Sequence, residues 1–129
     1  MRYWVVLALC VCVCGCAEST VDGPSRYQIS GEVLLDGKPV VAGTVQFEPD
    51  ASEGNKGPMT IAEIHEGHYE TDYGKGVIGG PQKIIVEAFD GKGEPGTSMM
   101  LGRPVPGGPF RTQADIPKEN GTFDISVQS

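Results

Sequence analysis

Three groups of residues carry the functional groups that chemistry needs. Cys10, Cys12, Cys14 and Cys16 are the only cysteines, and they alternate within the first sixteen residues. A tetrahedral metal knuckle takes its thiolates from pairs spaced two to four residues apart and often adds histidine, so this alternation in an apolar run suits it poorly. With no thiol after Cys16, the downstream part of the chain holds no disulfide. His65 and His68 form an H-x-x-H pair with Glu63, Glu66 and Glu70 nearby, a donor set suited to zinc or copper. On a strand, however, an i, i+3 pair points to opposite faces unless a turn falls between its members. Glu48, Asp50, Ser52, Glu53 and Asn55 make an oxygen-rich stretch that calcium would accept, without the EF-hand spacing. A solvated acidic loop is the commoner use of such residues.

Covalent catalysis finds no candidate. None of Ser25, Ser30, Ser52, Ser98, Ser126 and Ser129 lies in a G-x-S-x-G elbow, and no nucleophile sits beside a base. Carboxylates are too many for any one pair to single out a glycosidase. The glycines from Gly74 to Gly80 lack the Gly-Lys-Ser/Thr ending of a phosphate loop. The expectation is a non-enzymatic chain with no cofactor.

The elements that must position these groups begin with the leader. Met1-Arg2 is a short positive start, and Tyr3 to Val13 is an uncharged apolar run of eleven residues. Such a run is well short of the ~20 residues that span a bilayer and matches an export signal. Val13-Cys14-Gly15-Cys16 resembles the lipobox of bacterial lipoproteins, which implies cleavage after residue 15 and lipidation of Cys16. Cys14 occupies the tolerant position, and Cys12 and Cys14 each follow a valine where the peptidase wants a small residue. Two or more acyl chains on one thiol and its freed amine give stable attachment. Ala17, where Asp would resemble an inner-membrane retention signal, leans towards an outer membrane. Residues 16–26 read as a flexible tether.

The net charge is −7, and loss of Arg2 with the leader leaves nine basic against 17 acidic residues. An acidic chain repels nucleic acid and anionic lipid, so the expected membrane contact is the covalent anchor on Cys16.

Residues 27–129 suffice for one domain. Tyr27, Ile29, Gly31, Val33 and Leu35 alternate with polar residues as in a half-buried strand. Asp36-Gly37 predicts a tight hairpin, with Val41, Gly43, Val45 and Phe47 on the returning strand. Met59 to His65 and Tyr69, Thr71 and Tyr73 predict a second hairpin about Glu66-Gly67. Ile84, Val86 and Ala88 predict an inward-facing strand. Phe110, Thr112, Ala114 and Ile116, then Phe123, Ile125 and Val127, predict a last hairpin about Asn120-Gly121. Between them, residues 91–109 hold six Gly and four Pro, a loop long enough to be functional or disordered. Its Met99-Met100-Leu101 cluster is expected to pack on the sheet, the alternative being a partner-binding tip. The sum is an all-β, seven-stranded antiparallel β-sandwich.

Ile29-Ser-Gly-Glu-Val-Leu-Leu-Asp-Gly-Lys-Pro-Val40 and Gly43-Thr-Val-Gln-Phe-Glu-Pro49 resemble the opening of carboxypeptidase regulatory-like domains, a transthyretin-like (prealbumin-like) family. The resemblance extends through Ile64 to Tyr69 and Gly80 to Val86, and it implies a non-catalytic accessory module. The related hydroxyisourate hydrolases end in Tyr-Arg-Gly-Ser, whereas this chain ends in Phe123-Asp-Ile-Ser-Val-Gln-Ser129, so their activity is not implied.

The functional expectation is therefore a lipid-anchored binding or structural module of the cell envelope, facing the periplasm or the exterior. Its partner would be an envelope protein or a carbohydrate. The alternative is a metal- or calcium-binding envelope protein, and a hydrolase on a transthyretin-like scaffold ranks third.

Overall fold

The computed structural model describes residues 25–129; the leader, Cys16 and all but the last two tether residues lie outside the described residues. The chain is all-β. Among the described residues nine strands follow one another: β1 (Ile29–Leu35), β2 (Lys38–Pro39), β3 (Ala42–Pro49), β4 (Thr60–His65), β5 (His68–Glu70), β6 (Gly80–Phe89), β7 (Phe110–Ile116), β8 (Gly121–Thr122) and β9 (Ile125–Val127). They form a single curled sheet in the order β2-β1-β5-β4-β3-β6-β7, with β8 and β9 also on β1. The only helical turn among the described residues is Ala51–Glu53, and no described helix is long and apolar enough to cross a membrane.

Period-two alternation decides which face is inward. In β6, Gln82, Ile84, Val86 and Ala88 are buried, and in β4, Thr60, Ala62 and Ile64 are. Val33, Val45, Ile64, Val77 and Val86 are 0% exposed. Each such side chain contributes roughly 1.5–3 kcal/mol on burial. Curling brings these inner faces together, so that β7, at one end of the strand order, packs against β9 beside β1. Phe47 and Tyr69 meet inside with ring centroids 5.6 Å apart.

Two turns form as the sequence predicts. Asp36 and Gly37 have φ of 51° and 79°, Glu66 and Gly67 have 49° and 79°. Positive φ at both central residues matches the right-handed twist of the flanking strands.

Four expectations need correction. First, the described residues form nine strands rather than seven, because two-residue strands β2 and β8 flank β1. Second, the Asp36-Gly37 hairpin closes on β2 alone. Pro39 has no N–H with which to continue a ladder, Val40 turns into the core, and β3 crosses to pair with β4 and β6. Third, Asn120-Gly121 makes no hairpin, and the sheet is not wholly antiparallel. β8 and β9 run parallel to β1 and satisfy its second edge, as buried backbone groups require. Asn120 instead accepts a hydrogen bond from the Gln28 amide at 2.9 Å through its side chain. Fourth, Tyr73 does not follow Tyr69 and Thr71 inward, because β5 stops at Glu70 and the chain turns.

The parallel ladder is locked at Gly31. A Cβ there would collide with the Phe123 carbonyl. The Tyr69 hydroxyl donates to that same carbonyl, and Asp124 Oδ1 accepts from the Glu32 amide at 2.9 Å. Burial, followed by the charge of Asp124, pushes the Tyr69 phenol up, so it stays protonated and remains a donor at any physiological pH.

Tyr69→Phe keeps the ring and removes only this donor, leaving the Phe123 carbonyl short of a partner. Urea denaturation should show a loss of about 1–3 kcal/mol. An unchanged midpoint would mean that the bond adds nothing to stability.

Candidate functional site

The glycine- and proline-rich segment after β6 is a structured protrusion, and one carboxylate organises its stem. Asp90 Oδ1 accepts from the amides of Lys92 at 2.9 Å and Arg103 at 3.1 Å. Backbone bonds from Asp90 to Arg103 and from Gly91 to Leu101, both 3.0 Å, close the stem. Below it, Phe89 bridges Pro104 and the Val105 amide reaches the Ala88 carbonyl at 2.9 Å. Beyond the stem the chain winds through turns that bond Thr97 to Met100 and Met99 to Gly102. Gly102 has φ of 90°, and a Cβ there would run into the Asp90 carboxylate, so glycine is required twice over. The Lys92 amide first, then the Arg103 amide, hold the Asp90 carboxyl below its usual range.

Three depressions surround this protrusion. A groove of about 430 Å³ runs between the Leu35–Val41 turn and the stem, lined by Leu35, Pro39, Val41, Phe89 and Val105. It shares Phe89 and Val105 with a recess of about 230 Å³ beside Pro104 and Pro109. It shares Asp90 with one of about 560 Å³ inside the loop, where Lys92, Glu94, Thr97, Met99 and Arg103 face the opening. Met99 and Met100 are 50% and 60% exposed, which corrects the expectation that the methionine cluster packs on the sheet; only Leu101 is half-buried. The stem's own hydrogen bonds hold the tip away from the core. Apolar surface ringed by charges of both signs suits recognition of a partner.

The histidines are brought together in part. Since the Glu66-Gly67 turn falls between them, His65 and His68 sit opposite each other across β4 and β5, both exposed. His65 Nε2 lies 3.1 Å from Glu63 Oε2. Among the described residues, however, no group of three or more His, Cys, Asp or Glu is arranged to hold a metal ion.

The oxygen-rich stretch holds the fold together. Asp50, 5% exposed, caps the Ala51–Glu53 turn by accepting from the amide and hydroxyl of Ser52. Asn55 donates its amide to the carbonyls of Gly79 at 3.2 Å and Pro81 at 2.7 Å. Glu48 pairs in register with Lys83 on β6. The ligands that calcium would need are thus engaged with the protein or spread over its surface.

Two serine hydroxyls meet carboxylates, Ser52 with Asp50 and Ser129 with Asp36, the latter at 2.7 Å. His65 takes its contact from Glu63 instead.

Asp90 is the residue that motif-based reasoning passes over. Its signal was present as Asp-Gly after a strand, because an aspartate side chain readily bonds the backbone amide two residues on. Gln82, 1% exposed, donates to the Ile78 carbonyl while its Oε1 has no partner among the described residues. Its parity with Ile84 and Val86 marked it as inward-facing.

No protein-family model matches the chain, and no curated protein is similar enough to be matched.

Asp90→Ala should open the stem and speed trypsin cleavage after Lys92, with the core's urea midpoint little changed; unaltered cleavage would show that the carboxylate does not hold the loop. The pH dependence has a definite sign. A carboxylate whose folded pKa is depressed stabilises the closed loop above its ordinary value of about 3.9 and loses that contribution as pH falls through the lowered value. The Lys92 and Arg103 amide proton shifts should therefore titrate together with a midpoint below that of a free aspartate. A midpoint at or above it would contradict the clasp.

Proposed function

We propose that this chain is a lipid-anchored, non-enzymatic binding or structural module of a bacterial cell envelope. It is held through Cys16, in an outer membrane rather than an inner one, and faces the periplasm or the exterior. Its curled sheet is read as a transthyretin-like β-sandwich of the carboxypeptidase regulatory-like kind. The tight Asp36-Gly37 turn and the resemblance over Ile29 to Pro49 support that finer reading.

The observation that carries the proposal is the polarity of the sheet. The chain enters the domain where Tyr27 bridges Val77. From there β1 runs to Leu35, and the Asp36-Gly37 turn, the Glu66-Gly67 turn and the 91–109 loop all cluster at the far end. The ten residues of β6 alone span roughly 33 Å. A chain tethered at the near end presents the methionine tip and its grooves at the other, where a partner can reach them. Loops on rigid β scaffolds are the usual seat of recognition. An envelope protein or a carbohydrate is the partner class, since the acidic balance disfavours nucleic acid.

Intact mass of the chain extracted from membranes tests the anchor. A lipid-sized increment on a chain starting at Cys16, lost in Cys16→Ala, is the expected result; an unmodified wild-type chain would end the anchored reading. Recognition is tested by exchanging residues 93–101 for a short Gly-Ser link. This should leave stability within about 0.5 kcal/mol and abolish capture of the envelope partner. Capture that survives would place recognition elsewhere.

A further inference from the structure

We infer that the Tyr73 turn, with Arg26 and Lys75 beside it, rests on the headgroup layer of the bilayer that holds the anchor. This rests on the lipid-anchored reading above and adds a contact and an orientation to it. Tyr73 is 97% exposed, whereas Tyr69, four residues earlier, is 1% exposed. It stands at the apex of a rigid turn closed by the Lys75 amide and the Asp72 carbonyl at 2.9 Å, with Gly74 at φ of 75°. The turn is laced to the start of the domain. Tyr27 and Val77 exchange backbone bonds at 2.8 and 2.9 Å, Arg26 donates to the Gly76 carbonyl at 3.3 Å, and Gln28 donates to the Asp72 carbonyl at 2.9 Å.

The place where the tether enters and the place where the aromatic ring projects are therefore one surface. Nine residues lie between Cys16 and Arg26. Whatever its conformation, a connection of that length reaches at most about 36 Å, so this end of the domain stays near the lipid at high effective concentration, and a weak contact is enough. A tyrosine ring matches that layer, with an apolar body and a polar tip. The Lys75 ammonium can extend to a lipid phosphate, and Arg26 keeps guanidinium N–H groups beyond its bond to Gly76, with Asp72 in the turn and Glu119, next to the Asn120 that meets Gln28, as acidic neighbours. Among the described residues, nothing covers the Tyr73 ring.

The chain's one tryptophan is Trp4, which leaves with the leader, so a single introduced tryptophan reports alone. Tyr73→Trp and, at the far end, Met99→Trp would be prepared as lipidated chains and placed in phosphatidylethanolamine–phosphatidylglycerol vesicles with brominated acyl chains. Both positions are exposed, and equal urea midpoints would verify folding. The expected result is blue-shifted, bromine-quenched emission from residue 73 and water-exposed, unquenched emission from residue 99. Unquenched emission from residue 73 on a chain that floats with the vesicles overturns the contact and leaves the anchor standing. Equal quenching at both positions overturns the orientation. A mature chain without a lipid increment overturns the anchor and this contact together.

Discussion

Strand β1 is hydrogen-bonded along both edges, and most of the architecture follows from how that is achieved. One edge takes antiparallel partners, β5 along its first half and β2 at its end. The other takes the final segment of the chain in parallel, β8 and then β9. A parallel partner cannot be delivered by a tight turn; it needs a crossover. The chain must therefore travel out through β3, β4, β6 and β7 before its end can return to β1, and that detour curls the sheet until β7 lies against β9. At Gly31 the two backbones come too close for any side chain, and the ladder is held there by Tyr69 and Asp124 instead.

Most of the polar side chains that attract attention as possible chemistry serve this architecture. Asp50 and Asn55 secure the loop beside the start of β6, and Thr60 donates to the Gly76 carbonyl at 3.0 Å. Thr71 accepts from the Ile29 amide at 3.1 Å, and Asp36 receives Ser129 at the chain's end. These bonds fasten turns and chain ends to the sheet. The Ser129 hydroxyl and amide hold the Asp36 carboxyl below its ordinary range, as Ser52 does for Asp50.

The two ends of the sheet differ as a result. The near end, where residues 26–28 enter, is crossed by short bonds to the 72–77 turn and leaves one aromatic ring in water. The far end carries the long protrusion, closed by Asp90 and lined with exposed methionine. The entry of residues 26–28 at one end and the display of the 91–109 protrusion at the other follow from the single direction in which β1 runs.

The sequence alone determined what is local. Alternation from Ile29 to Leu35 and from Ile84 to Ala88 showed which side chains would turn inward, because a strand's side-chain period depends only on backbone geometry. Asp36-Gly37 and Glu66-Gly67 specified tight turns, because few residue pairs accept two positive φ angles. Only the tertiary structure decided which strands pair. Asn120-Gly121 has hairpin chemistry and forms none, because the open edge of β1 offered the last segment its backbone partners. Tyr73 keeps the parity of Tyr69 and Thr71 yet faces solvent, because the strand ends before it. Asp90 organises the loop through an amide thirteen residues away, a contact that exists only once Gly102 brings the chain back. Long-range pairing is a competition among edges for backbone hydrogen bonds, and its outcome depends on the whole set of strands.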